Sequence, residues 1–443
     1  MKNILFLKDC FINREIAFVF NIPYKIADKI DNNNYYFVLD DEDKKVLNNQ
    51  GINYVKEYVD LDSLCNYLSR FERRNLYKRK SERDIDKINS IPLEDLFLSE
   101  MLIKVLYSKP KNIDCKEIDI QANIDNNGDV WGCCPGWVAQ EFGNIIKDKD
   151  WYNNYYARII KLSYINKTFC FCNLKKCKYN NYKEIELDEN SVKFETDNRP
   201  KHIIISTDKT CNLKCNSCRK EFFVPTQKQK ELTHKVTQKL LETGWLDEIP
   251  FMIAGQGEAF YSEEYLNLLK TDKRRNHIEI LTNGNLFTEE KWKLIDGKYE
   301  KVSVSVSIDA AKKETYIKLR HGNFDALLNN LAMIAKYRNQ LKIQYLSFNF
   351  VVQKENMNEM VDFIKLANMY NADVIQFTKL NNWGTMKEDE YKEKSLIIDG
   401  YLNIELYKIL SNPIFNDEKI DISSLKGYYE KSKEIYEKNN ILI

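Results

Sequence analysis

The chain has 443 residues, with 67 basic and 66 acidic side chains and a formal net charge of +1. That length argues for two to four domains, and 43% hydrophobic with 30% charged residues is the composition of a folded globular protein, which excludes a disordered or fibrous chain. The near-neutral balance excludes a strong global field for nucleic acid or membrane, and the apolar start Ile4–Phe20 is interrupted by Lys8, Asp9, Arg14 and Glu15, so it reads as neither a signal peptide nor a membrane span.

The expectation is a cytoplasmic protein with neither nucleic acid nor membrane as partner. Cysteine is the unusual residue. There are 11, nine of them between Cys115 and Cys218. In a reducing compartment, clustered thiols point to metal or redox chemistry rather than disulfides.

Residues 1–90 alternate short apolar runs with helical stretches. Ile4–Leu7, Tyr36–Leu39 and Ile52–Val55 read as strands and Leu61–Leu76 as an amphipathic helix, giving a small α/β unit. The basic run Arg73–Lys80 closes it and reads first as a solvated helix face. Cys10 and Cys65, in apolar surroundings, read as buried small hydrophobes.

Residues 105–190 form a cysteine-rich segment. Ile118–Ile124 alternates polar and apolar, and Asp125-Asn126-Asn127-Gly128-Asp129 supplies turn chemistry before Val130-Trp131, which predicts a hairpin with cysteines at its base. Cys170, Cys172 and Cys177 follow.

From about 200 to 385 the pattern repeats strand then helix. Strands are predicted at Ile203–Ile205, Pro250–Ile253, Ile278–Leu281, Val302–Val306, Leu346–Val351 and Val374–Phe377, with helices such as Ala326–Tyr337 and Met357–Met369 between them. Six such units imply a parallel sheet, open or curled into a partial barrel, whose site lies at the carboxyl ends of the strands. Residues 386–443 read as a charged, mostly helical tail.

Immediately after the first of these strands comes Cys211-Asn212-Leu213-Lys214-Cys215-Asn216-Ser217-Cys218, a C-x3-C-x2-C run. Three thiolates on one loop can each hold a different iron of a cubane cluster and leave the fourth iron open; a zinc site needs a fourth ligand, for which the nearest histidine in sequence is His202. Gly255-Gln256-Gly257-Glu258 ends the second strand, Thr282-Asn283-Gly284 the third, and Ser305-Val306-Ser307-Ile308-Asp309 the fourth, and Arg320 follows. The glycines allow close backbone approach to a ligand, Glu258 can accept from an ammonium group, and a planar guanidinium suits a carboxylate.

In this order the motifs resemble those of the radical S-adenosylmethionine (SAM) enzymes over residues 202–385. The resemblance implies a partial (β/α)6 TIM-like barrel with a [4Fe–4S] cluster on Cys211, Cys215 and Cys218. It implies S-adenosylmethionine bound near Gly255, Gly257, Glu258, Thr282, Asn283, Ser307 and Arg320, with Glu258 on the methionine amine, the Ser-Ile-Asp stretch near the ribose and Arg320 on the carboxylate. Two positions depart from the family pattern: Gln256 separates the two glycines, and Ser217 stands where many members carry an aromatic residue. No residue is singled out as catalytic, and His202, His234, His277 and His321 are too scattered to nominate a base.

Cys115 is followed by twelve residues, Gly128, four residues and Cys133. With Gly143-Asn144-Ile145 and the Cys170/Cys172/Cys177 end, this segment resembles the SPASM auxiliary-cluster domain, here placed before the barrel. The resemblance implies a second [4Fe–4S] cluster on Cys115, Cys133, Cys172 and Cys177, with Cys134 and Cys170 as near-equivalent ligands; a structural zinc site is the alternative. A thiol left out of the ligand set, Cys134 or Cys170, could return a hydrogen atom to a substrate radical.

The family resemblance implies reductive cleavage of S-adenosylmethionine to a 5′-deoxyadenosyl radical, which abstracts hydrogen from a peptide or protein (cross-linking, epimerisation or oxidation). An external one-electron donor of flavodoxin or ferredoxin type would be a partner. The alternatives are the same chemistry on a small metabolite, such as an amino sugar or nucleotide sugar, and a non-catalytic zinc-binding adaptor.

Overall fold

The computed structural model describes residues 4–6, 10–20, 24–27, 35–37 and 58–59, and then 101–438 apart from 116, 119, 175–176, 178, 180–181, 254 and 271–272. The predicted helix Leu61–Leu76, the basic run Arg73–Lys80, the run Ile52–Val55 and Cys65 lie outside the described residues. Contacts divide the chain into two units: Met1–Ile120, Val130–Cys172 and Tyr182–Pro200 form the first, and Gln121–Asp129, Asn173–Asn181 and Lys201–Ile443 the second. This grouping differs from the linear one expected above. The segment after 386 belongs with the second unit, and the Gln121–Asp129 strand and turn do too.

In the first unit, β1 (Ile4–Phe6), β2 (Tyr35–Phe37) and β3 (Tyr58–Val59) form a parallel sheet. Helix α1 (Phe11–Phe20) buries Ile16 and Val19, and α2 (Tyr155–Ile165) buries Ile159, Ile160 and Leu162. The two pack together: Arg158 Nη1 donates to Phe18 O (2.9 Å) and Asn166 Nδ2 to Glu15 Oε1 (2.8 Å). Burial pushes the Glu15 carboxyl up to about 7, against the pull of the Asn166 hydrogen bond. Cys10 is half-buried rather than buried, because it sits at the start of α1, where its carbonyl accepts from Arg14 N (3.2 Å).

The second unit is a parallel sheet with crossover helices. Its strands are β4 (Gln121–Asp125), β5 (His202–Ser206), β6 (Phe251–Ile253), β7 (Arg275–Thr282), β8 (Tyr299–Ser307), β9 (Tyr345–Val352), β10 (Val374–Lys379) and β11 (Ile420–Asp421). The predicted Asp125–Asp129 turn follows β4: Asp125 Oδ1 accepts from Asn127 N (2.8 Å) and Asp129 N (3.1 Å), and Gly128 takes φ 82°.

Strands β5 to β10 pair in sequential order, all parallel; β4 adds beside β5 and β11 beside β10. Without a reversal of order, right-handed crossovers put every helix on one face and turn the other inward, which is the logic of a partial (β/α)6 barrel. The α/β class read from the sequence is therefore the observed one. Strand β8 shows why. Val302, Val304 and Val306 are buried on the helix side, while Ser303, Ser305 and Ser307 line the inner face half-buried.

Helix α3 (Gln227–Glu242) starts in a capping box of Thr226 and Gln229. The short helix α4 (Lys313–Arg320) precedes α5 (Phe324–Asn339), which is capped by Asn323 and buries Leu327, Leu331 and Ile334 at helical spacing. Helix α6 (Met360–Met369) buries Met360, Phe363, Ile364 and Ala367. Helix α7 (Ser423–Lys438) covers the far edge, where Ser424 Oγ accepts from Lys379 N (3.0 Å). Among the described residues, no helix is long and apolar enough to cross a membrane.

Candidate functional site

The site is assembled at the carboxyl ends of β5 to β8. The loop after β5 carries Cys211, Cys215 and Cys218. It is held from two sides. Thr210 O accepts from Glu258 N of the β6 loop (2.9 Å), Leu319 O of α4 accepts from Asn216 N (3.0 Å), and Lys318 O accepts from Asn216 Nδ2 (2.9 Å). Leu213 anchors it at 4% exposure.

Donors face the sulfurs: Leu213 N lies 3.4 Å and Asn283 Nδ2 3.9 Å from Cys211 Sγ, and Arg219 Nη2 lies 3.6 Å from Cys218 Sγ. Burial pushes the Cys215 thiol up to about 11 and raises Cys211 as well. Without a metal such thiols stay protonated; a bound cation reverses that and makes them ligands. Among the described residues, no three His, Cys, Asp or Glu side chains converge on a point that a single metal ion could fill. A four-iron cube holds each thiolate on a different iron.

The glycine-rich loop after β6 runs against this cysteine loop. A Cβ on Gly257 would stand 2.4 Å from Asp208 O and 2.9 Å from Thr210 O, and one on Gly255 (φ 96°) would meet Ser206 Oγ at 2.2 Å. Only glycine fits that approach. Glu258, 2% exposed, accepts from Thr282 Oγ1 (2.5 Å), Asn283 N (2.7 Å) and Phe260 N (3.3 Å). Burial raises its pKa against the pull of those donors. Both of its oxygens are used, so its carboxylate braces the β6 and β7 loops together. Thr282 and Asn283 work in the same brace, and Asn283 Nδ2 also donates to Asn212 Oδ1 (2.9 Å).

At the end of β8, Ser307 is half-buried on the inner face. Asp309, 2% exposed with φ 61°, accepts from Arg320 Nη1 (2.6 Å) and from Val351 N (2.7 Å). Arg320 Nε is buried and has no hydrogen-bond partner among the described residues. Burial opposes the Arg320 charge, but Cys215 and Asp309 beside it more than offset that and raise its pKa.

Reading the sequence missed Arg219, which donates to Lys209 O (2.7 Å) and to Gln256 O and so ties the cysteine loop to the glycine loop. It also missed Glu359, which accepts from Ala311 N (2.8 Å), Lys312 N (3.0 Å) and Thr315 Oγ1 (2.5 Å) and so fixes the start of α4. Arg219 follows directly on Cys218, a signal that was there to be used; Glu359 lies more than forty positions from what it holds.

Below these loops, a cavity of about 380 Å³ opens on the inner face, lined by His277, Glu279, Lys301, Ser303, Ser305 and Ser347 among others. His277 Nε2 lies 2.8 Å from Ser303 Oγ, and Ser305 Oγ accepts from Ser347 Oγ (2.8 Å) and Asn349 Nδ2 (2.7 Å). Burial lowers the His277 pKa. Of the other histidines, His202 lies 3.4 Å from Glu279, His234 3.3 Å from Glu264, and His321 2.8 Å from Asn216 Oδ1.

In the first unit, an antiparallel bridge between Val138 and Cys172 and a bond from Ala139 N to Phe171 O (2.9 Å) tie the turn of Cys133 and Cys134 to that of Cys170 and Cys172. Cys115 belongs to the same unit, whereas Cys177 falls in the Asn173–Asn181 segment of the second. Burial raises the thiols of Cys134 and Cys170.

Residues 205–367 match the model of the Radical SAM superfamily. No curated protein matches the chain in sequence. Among solved structures, the crystal structure of Streptococcus suis SuiB bound to S-adenosylmethionine is 16% identical, with a TM-score of 0.35 over 50% of this chain and 49% of that one. Native anSMEcpe with bound AdoMet and Cp18Cys peptide is 19% identical, with a TM-score of 0.35 over 48% and 58%. TYW1 with a lysine–pyruvate adduct bound is 15% identical, with a TM-score of 0.31 over 46% and 70%. The match to SuiB spans about half of that chain's length.

Proposed function

We propose, from the premise that this chain carries a radical SAM domain over residues 205–367, that it is an enzyme of that superfamily whose Cys211, Cys215 and Cys218 hold a [4Fe–4S] cluster beside S-adenosylmethionine. The observation that carries this reading is the stack of four loops at the ends of consecutive strands, with Arg320 Nε, which has no partner among the described residues, beside the cysteine loop.

The residues fit the group. Three thiols on one loop supply three ligands and leave one iron free, Gly255 and Gly257 open the backbone to a ligand, and a buried cationic donor without a partner fits a carboxylate. When bound, the cluster and S-adenosylmethionine would supply one-electron chemistry able to remove a hydrogen atom from substrate, with the electron coming from an external flavodoxin- or ferredoxin-type donor. The chain's own part is to position and to exclude water.

Arg320 would take the methionine carboxylate, and Ser307, at the end of β8, would stand near the ribose. Glu258, Thr282 and Asn283 hold the loops in register, and Glu258, whose Oε2 accepts only from Asn283 N, would take the methionine ammonium together with the backbone at Gly255 and Gly257. Cysteines of the first unit hold a second [4Fe–4S] cluster, a reading supported by the bridge that brings the Cys133–Cys134 and Cys170–Cys172 turns side by side.

A peptide or protein substrate rests on the family resemblance alone. The test is anaerobic reconstitution with iron and sulfide, then reduction by dithionite with S-adenosylmethionine. 5′-Deoxyadenosine should form with the native protein and not with any single Cys211, Cys215 or Cys218 to Ala variant. Equal formation by all of them would refute the reading.

A further inference from the structure

We infer that Asp309 is a positioning residue for Arg320, setting which edge of the guanidinium is offered to S-adenosylmethionine; this rests on the proposed function. Asp309 takes φ 61°, a left-handed conformation that costs a non-glycine residue about 1 kcal/mol or more and persists only where surrounding contacts over-determine it.

Those contacts are present. Asp309 O accepts from Asn356 Nδ2 (2.9 Å), the preceding Ile308 N donates to Asn349 O (3.0 Å), and Asp309 Oδ1 accepts from Val351 N (2.7 Å). The carboxylate is thereby fixed to β9 with its Oδ2 left for Arg320.

Arg320 is held at its other end by the cysteine loop. It closes α4, whose Lys318 and Leu319 carbonyls accept from Asn216, and its own carbonyl lies 3.9 Å from Cys215 Sγ. Between these anchors, the guanidinium gives Nη1 to Asp309 Oδ2 at 2.6 Å. The fork of an arginine that takes a carboxylate side-on is made by Nε and Nη2, on the opposite edge from Nη1. By occupying Nη1, Asp309 turns the Nε edge away from itself, and that Nε is buried and without a partner among the described residues.

A buried cationic donor left unpaired calls for a ligand acceptor. With Oδ1 on Val351 and Oδ2 on Arg320, the Asp309 carboxylate bridges β9 and the end of α4.

The experiment compares S-adenosylmethionine with decarboxylated S-adenosylmethionine, which lacks the group Arg320 would hold, binding to reconstituted, unreduced holoenzyme by anaerobic equilibrium dialysis. Native protein should prefer the carboxylated ligand about tenfold or more, as befits a charge-assisted pair. Asp309→Asn keeps a side chain tolerant of left-handed backbone. It should reduce the preference to about threefold or less while leaving iron content and affinity for the decarboxylated ligand unchanged.

A native protein with no preference would overturn the Arg320 assignment itself. A native preference that survives in Asp309→Asn would overturn the positioning role alone. Should Asp309→Asn lose iron, Asp309→Glu decides in the same assay: it keeps the charge but moves the carboxylate out by one methylene, so lost preference supports positioning and retained preference refutes it.

Discussion

Substituting Gly257 by alanine tests whether the glycine loop supports the cysteine loop. The added Cβ would stand 2.4 Å from Asp208 O and 2.9 Å from Thr210 O, both backbone atoms of the loop that leads into Cys211. Neither is the end of a flexible side chain. Ordinary van der Waals contact begins at 3.4 Å, so the two loops must separate by about 1 Å, at an overpacking cost of about 1–3 kcal/mol. The bond from Glu258 N to Thr210 O, 2.9 Å long, lies in the path of that movement. For a unit of this size, such a cost lowers the melting temperature by roughly 3–10 °C.

A cluster demands that its thiolates stay in place, so Gly257→Ala should also lose most of the iron bound on reconstitution. Gly297→Ala is the control. Gly297 has φ 74° with nothing within 4 Å of an added Cβ, so it should cost about 1 kcal/mol and keep its iron. Differential scanning fluorimetry and ferrozine iron determination read both effects. Native melting temperature and iron content in Gly257→Ala would refute the reasoning.

Three other outcomes follow from the same contacts. Glu359→Ala leaves Ala311 N, Lys312 N and Thr315 Oγ1 without their acceptor and should cost about 2–3 kcal/mol by urea unfolding, while weakening S-adenosylmethionine binding through displaced Arg320; unchanged binding would separate α4 from the site. Glu15 has its folded pKa raised to about 7 from 4.5, so the native state binds the extra proton between those values and stability falls as pH rises through that window, by on the order of 3 kcal/mol. Glu15→Gln should flatten that fall, and an identical pH profile for the variant would contradict the assignment. Thr282→Val removes the hydroxyl that donates to Glu258 and accepts from Gly284 N, and should cost about 1–2 kcal/mol in thermal unfolding; no change would show that the brace does not carry the loops.

Much of the barrel was legible because its signal is local. Val302–Ser307 alternates valine and serine without a break, and both the pleat and the helix-side burial follow that alternation. The cysteine loop was legible through spacing, and the loops ending β6, β7 and β8 through their order. What the sequence hid depends on contacts between distant positions. Strand β4 pairs with β5 although a long cysteine-rich segment separates them, and its alternation reads equally well as half of a free hairpin. Strand β11, two residues long, has no period to detect, and so residues 386–443 looked like a tail. Asp309 matched a motif, yet its partners Arg320 and Val351 are settled by the fold, not by the motif.

The central claim is a cluster on Cys211, Cys215 and Cys218, and iron and acid-labile sulfide per chain test it most directly, in native protein and in the triple alanine variant after anaerobic reconstitution. The variant should contain about four irons and four sulfides fewer than native protein and bind no S-adenosylmethionine. Equal iron in both proteins, or none in either, would contradict it.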